Sequence, residues 1–104
     1  MEERILLRVQ VNSTDQFNGI SVYEQVVLKA KELGLAGVTV LKGVMGFIGE
    51  DKIRRPKLLR LSESLPVIIE IVDTEQNINR LLPFLDELIR DGLVVLAPVL
   101  SMKK

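Results

Sequence analysis

Gly37-Val38-Thr39-Val40-Leu41-Lys42-Gly43-Val44-Met45-Gly46-Phe47-Ile48-Gly49-Glu50-Asp51-Lys52-Ile53-Arg54-Arg55-Pro56-Lys57 is the stretch that decides the fold. The β-branched run at 38–40 predicts a strand from about Ala36 to Phe47. Glycines at 43, 46 and 49 then punctuate a segment that ends in Lys52, Arg54, Arg55 and Lys57. Glycine lets a backbone approach a ligand or another chain closely, and guanidinium and ammonium groups favour an anion. The segment reads as a loop of about 47–56 joining two strands.

The flanking sequence supplies the other elements. Upstream, Arg4 to Val11 alternates: Ile5, Leu7, Val9 and Val11 share one face, while Arg4, Leu6, Arg8 and Gln10 share the other. That is a period of two, hence a strand. Asn12 to Gly19 reads as a polar loop. Ser21-Val22-Tyr23-Glu24 has the form of a capping box, opening a helix with Val22, Tyr23, Val26, Val27, Ala30 and Leu33 on one face. Gly34 is placed to end it. Downstream, a third strand is expected to start near Lys57, to break at residues 62–66, and to resume at Val67 to Val72. Asp73 or Thr74 caps a second helix carrying Ile78, Leu81, Leu82, Leu85, Leu88 and Ile89 at helical spacing, with an internal Pro83 that should kink it. Gly92 is expected to close that helix before a last strand, Leu93 to Leu100. The order is βαββαβ, an α+β ferredoxin-like sandwich with both helices on one sheet face.

The outer sheet face should be polar in a monomer, yet Ile68 and Val72 flank Glu70 there, and Leu93 to Leu96 is apolar on both sides. Such a surface calls for a cover, and a homo-oligomer packed sheet to sheet is the expectation.

Composition narrows function. At 104 residues the chain fits one domain, 1–104. Lys and Arg total 14, and so do Asp and Glu. No net charge therefore steers the chain toward nucleic acid or an anionic membrane. The chain has no Cys and no His, which removes disulfides, thiolate and imidazole metal sites, and the usual nucleophile–base pairs. No apolar run is long enough to span a bilayer, and the acidic start MEERILLRV lacks a signal-peptide shape. A cytoplasmic protein that is not an enzyme, binds no nucleic acid and inserts in no membrane is the reading. Bases would need aromatic stacking residues on the central strands, and those strands have none.

The glycine segment is neither a dinucleotide fingerprint nor a Walker loop, since the spacing differs and no Gly-Lys-Ser/Thr occurs. A plain strand connection with bulge glycines explains it equally well. Glu50 and Asp51 dilute the basic cluster, so a solvated loop face is an alternative to an anion contact. Arg8 and Glu70 should sit on neighbouring strands, as an ion pair orienting an oligomer or with Glu70 free to accept from a ligand.

Longer motifs carry a resemblance. Tyr23-Glu24 with the run from Lys29 to Phe47 (KAKELGLAGVTVLKGVMGF), the run from Leu59 to Asp73 (LRLSESLPVIIEIVD) and Asp91-Gly92-Leu93-Val94 closely resemble the small bacterial and archaeal proteins grouped as domain of unknown function 190. That family looks like a branch of the PII-like signalling superfamily. The resemblance implies a homotrimer with three clefts between subunits, adenine nucleotides in those clefts, and a loop between strands two and three that engages a transporter, an enzyme or a regulator. It implies ligand-binding roles for Lys42, Gly43, Gly46, Phe47, Gly49, Lys52, Arg54, Arg55 and Glu70. Two departures matter. PII proteins carry a second phosphate loop with a Gly-Lys element after the last helix. Here that connection shrinks to Arg90-Asp91-Gly92-Leu93, so AMP is favoured over ATP and no cofactor is required. Arg54-Arg55-Pro56 also stands where many family members carry a His-Thr-Ala type sequence. A ligand-independent module docking its loop on a transporter or other protein is the alternative.

Overall fold

A computed structural model describes residues 1–56 and 64–104. The expected opening of a third strand at 57–61 lies outside the described residues. Four strands form one antiparallel sheet: β1 (Glu2–Asn12), β4 (Thr39–Lys42), β5 (Pro66–Asp73) and β6 (Leu93–Ser101), in the order β4-β5-β1-β6. Helices α1 (Val22–Glu32) and α2 (Glu75–Leu88) connect β1 to β4 and β5 to β6. Each helix thus links two strands separated by a third, which is the split βαβ arrangement expected from the sequence.

Alternation along β1 fixes the layers. Leu7, Val9 and Val11 are buried together with Val67, Ile69 and Ile71 of β5. Val22, Val26 and Ala30 of α1 and Ile78, Leu81, Leu85 and Leu88 of α2 close over them. Register decides which side chains share a face: Arg8 lies opposite Glu70 on one side and Val95 on the other. A one-residue slip would reverse every side chain.

The core stops short of β6. Leu7 is 0% exposed, yet its β6 partner Leu96 is 49% exposed. Leu93, Val94, Val95 and Leu100 are also exposed. The strand is therefore bare on both faces, and the outer face adds Leu41 and Val72.

Several local expectations are corrected. Residues 12–19 are not plain loop: β2 (Gln16–Phe17) and β3 (Ile20–Ser21) pair as a short hairpin. Its Asn18-Gly19 turn holds both residues at positive φ, the conformation that Asn-Gly favours. Among the described residues Ser21 makes no capping hydrogen bond and its buried hydroxyl has no partner. The hairpin brings the Asp15 carbonyl to the Val22 N–H, which ties the first residue of α1 to the hairpin by a backbone bond. The second strand spans only 39–42, not 36–47. Gly92 does not end α2, whose cap is Ile89. Its open position is instead filled by the Gln10 carbonyl and the Ile89 side chain. Helix α1 ends as expected, with Leu35 N–H on the Ala30 carbonyl and Gly34 N–H on Lys31. Helix α2 runs on through Pro83.

Asp73 ties the layers together. Its carboxylate accepts from the Ala36 N–H at 2.8 Å, the Thr74 N–H at 2.7 Å and the Asn77 side-chain amide at 2.9 Å. Thr74 caps α2 by accepting from the Asn77 N–H. Burial alone would push the Asp73 carboxyl up, but these hydrogen bonds outweigh it and hold the group below its ordinary value. A carboxylate depressed in the folded state stabilises fully above its unfolded pKa and loses that contribution as pH falls. Asp73→Ala is expected to cost about 2–3 kcal/mol in urea unfolding at neutral pH. The gap to the unsubstituted chain should narrow below about pH 4, where only the latter loses the Asp73 contribution.

Candidate functional site

The loop after β4 is built on Pro66. Gly43 donates its N–H to the Pro66 carbonyl at 2.6 Å. Proline has no N–H to return, so the β4–β5 ladder ends at Lys42. A Cβ on Gly43 would lie 2.9 Å from Pro66 Cγ and 3.2 Å from its carbonyl oxygen. Glycine at 43 is thus required by close packing within the chain. Gly46 packs more loosely on the same ring.

From there the loop closes on itself. Gly46 and Arg54 exchange two backbone hydrogen bonds, 2.9 and 2.7 Å. Between them, Asp51 N–H reaches the Ile48 carbonyl at 3.0 Å. Gly49 sits inside that turn at φ +56°, where most side chains would be strained. Arg54 then forks onto Asp51: Nε donates to Oδ2 at 3.0 Å and Nη2 to Oδ1 at 3.1 Å. Its remaining arm, Nη1, donates to Ser64 Oγ at 2.8 Å, and Ser64 shares a hydrogen bond with Thr14. Asn12 Nδ2 donates to the same Asp51 carboxylate at 3.3 Å. The guanidinium holds the Asp51 carboxyl below the usual carboxylate range, and Asp51 raises the Arg54 pKa in turn.

Beside this cluster lies a cleft of about 500 Å³. Its walls are the end of β1 (Asn12 and Asp15), the loop (Ile48 to Asp51 and Arg54) and the connection after α2 (Arg90 to Gly92). Four carboxylates, Asp15, Glu50, Asp51 and Asp91, face two guanidinium groups, Arg54 and Arg90. Arg90 also stacks over Phe17, 5.7 Å from the ring centre.

Of the nine residues singled out in the sequence, the cleft gathers Gly49 and Arg54. Gly43 and Gly46 pack on Pro66 instead, and Lys42 is exposed at the end of β4. Phe47, Lys52 and Arg55 are exposed on the loop. Glu70 lies on the outer sheet face with both Arg8 Nε and Nη2 donating to its Oε2, at 3.0 and 2.7 Å. Its carboxylate is therefore engaged by an ion pair. Sequence reading missed Asn12, Asp15, Arg90 and Asp91, which only the fold brings to the loop. Among the described residues no cluster of carboxylates is placed to hold a metal ion, and no helix is long and apolar enough to cross a membrane.

Gly43→Ala tests the Pro66 contact. Overpacking at this site is expected to cost about 1–3 kcal/mol, read as a lower urea midpoint at unchanged slope. Gly49→Ala should leave the Pro66 contact intact and act only on the turn.

Comparison with known proteins bears on the fold and the family. Among solved structures, a PII-like signaling protein of Thermus thermophilus superposes with a TM-score of 0.65 at 17% identity, covering 93% of this chain and 87% of that one. CPII of Thiomonas intermedia, a nitrogen regulatory PII-like protein bound to ADP, AMP and bicarbonate, gives a TM-score of 0.70 at 11% identity, covering 99% and 97%. Identities this low show the fold, and the fold is PII-like. In sequence, a UPF0166 protein of Methanocaldococcus jannaschii is 40% identical over 92 residues, 88% of this chain and 84% of that protein. A UPF0166 protein of Aquifex aeolicus is 38% identical over 96 residues, 90% and 89%. The family model of DUF190, an uncharacterized ACR family, matches residues 4–100, and this chain belongs to the DUF190 family.

Proposed function

We propose that this chain is a non-enzymatic regulator that binds a small anionic metabolite in clefts between the subunits of a homotrimer. The ligand is an adenine nucleotide, with AMP favoured over ATP. The observation that carries this reading is the cleft of about 500 Å³ at the foot of the loop, with Arg54 and Arg90 in its walls. Its volume falls in the range of small-molecule sites. The related fold of CPII is seen with ADP, AMP and bicarbonate, which supports a nucleotide of this class. The bare β6 strand and outer sheet face supply apolar surface for neighbouring copies, whose own basic residues would complete the cleft. Lys42, Lys52 and Arg55 are the residues we assign to that supply, with Phe47 and the loop glycines shaping the mouth.

Charge sets the preference within the nucleotides. Four carboxylates against two guanidinium groups in the cleft walls repel each added phosphate. In the series AMP, ADP and ATP, AMP brings the least charge. Binding would order the loop, and the ordered and open states would differ in affinity for a target.

Val44, Met45, Phe47 and Ile53 are exposed on the same segment. They favour one second reading, in which the loop docks on a protein target without ligand. Target capture that ignores nucleotide and disappears in Phe47→Ser would select it.

Isothermal titration with AMP, ADP, ATP and cyclic AMP, without magnesium, tests the main reading. AMP is expected to bind about tenfold tighter than ATP, or about 1.4 kcal/mol. Baseline heats for all four at millimolar ligand would overturn it.

A further inference from the structure

We propose that the Asp51 carboxylate is a built-in occupant of an oxyanion site formed by Arg54 and Asn12, and that a phosphate group enters by displacing it. The inference deepens the cleft reading above by naming how the site is held shut.

The geometry is that of a carboxylate received in a prepared fork. Two parallel N–H donors of Arg54 meet the two oxygens of Asp51 at 3.0 and 3.1 Å. This is the bidentate arrangement a guanidinium offers equally to carboxylate and phosphate. Asn12 Nδ2 adds a third donor at 3.3 Å. The remaining arm of Arg54 is fixed by Ser64, itself bonded to Thr14, so the fork keeps its aim when Asp51 leaves. Its backbone is fixed too, by the two hydrogen bonds with Gly46.

Asp51 is the movable partner. It sits at the end of the Ile48–Asp51 turn, whose Gly49 has positive φ. The Asp51 and Arg54 side chains keep 29% and 19% of their accessible surface. Solvent thus reaches the pair from the cleft side, where an arriving anion competes with Asp51 for the same two N–H donors. Both residues line the same cleft, so an anion arriving there meets the fork directly. Displacement frees the Asp51 carboxylate, and with it the turn 48–51. The loop therefore responds through one exchanged ion pair.

The test uses the full-length chain with inorganic phosphate as probe, followed by NMR of the Arg54 Nε–H and the Asp51 (or substituted) amide. Asp51→Asn is expected to bind phosphate about threefold tighter or more than the unsubstituted chain, and Asp51→Ala at least as tightly as Asp51→Asn. Glu50→Gln removes one negative charge from the same cleft outside the fork, and its gain should be smaller than that of Asp51→Asn. The double variant Asp51→Asn, Arg54→Gln should lose binding. Equal affinity in the unsubstituted chain and Asp51→Asn overturns the proposal, as does an absence of binding in both. An equal gain from Glu50→Gln, or binding retained without Arg54, overturns it as well. AMP run in parallel separates the two readings. Silence toward AMP with the phosphate pattern intact removes the nucleotide and leaves the latch standing.

Discussion

Two helices cover one face of a four-stranded sheet, and in this chain they do not cover all of it. Everything beyond the core follows from that shortage. Leu7 and Leu96 are paired across β1 and β6, yet one is sealed under the helices and the other is half in water. Among the described residues, the nine-residue edge strand, apolar on both faces, also presents unpaired backbone groups along its free side. Such an edge is a hazard unless charge, twist or a partner blunts it. Burying one exposed Leu or Val is worth about 1.5–3 kcal/mol. Several such side chains in register are the surface that the proposed self-association would bury.

Charge is arranged to permit that association. The outer face carries Arg8 and Glu70, already paired across β1 and β5. A lone charge could not enter an interface at tolerable cost, whereas a hydrogen-bonded pair can. The loop shows the same habit, because its Arg54 is matched to Asp51 three residues earlier. What looks in the sequence like a basic patch is, in space, a partly neutralised one. The cleft beside it has more carboxylates than guanidinium groups in its walls, which is why the proposed ligand is one of few phosphates.

Much of the fold was legible because burial writes itself as period. Alternation in Arg4 to Val11 and helical spacing in Ile78 to Leu88 placed the layers and the faces that matter. Local polar chemistry was harder. Ser21 and Glu24 have the right spacing for a capping box, but among the described residues Ser21 makes no side-chain cap bond, and the helix start is tied to the hairpin through the Val22 N–H and the Asp15 carbonyl. That hairpin carried its own signal in Asn18-Gly19, flanked by runs too short to read as strands. The loop glycines suggested close approach of a ligand. Gly43 does meet a close neighbour, but the neighbour is Pro66. The Asp51–Arg54 pair was not read, because Asp51 counted in the sequence only as diluting the basic cluster. The cleft was not, since it joins residues near 12–15, 48–54 and 90–92 that only the finished topology brings together.

The account stands on the bare strand being covered by further copies of the same chain. Light scattering on the purified protein at micromolar concentration measures this directly. Three chain masses in one particle is the result it predicts. A particle of one chain mass, with β6 amides exchanging freely with solvent, would contradict it.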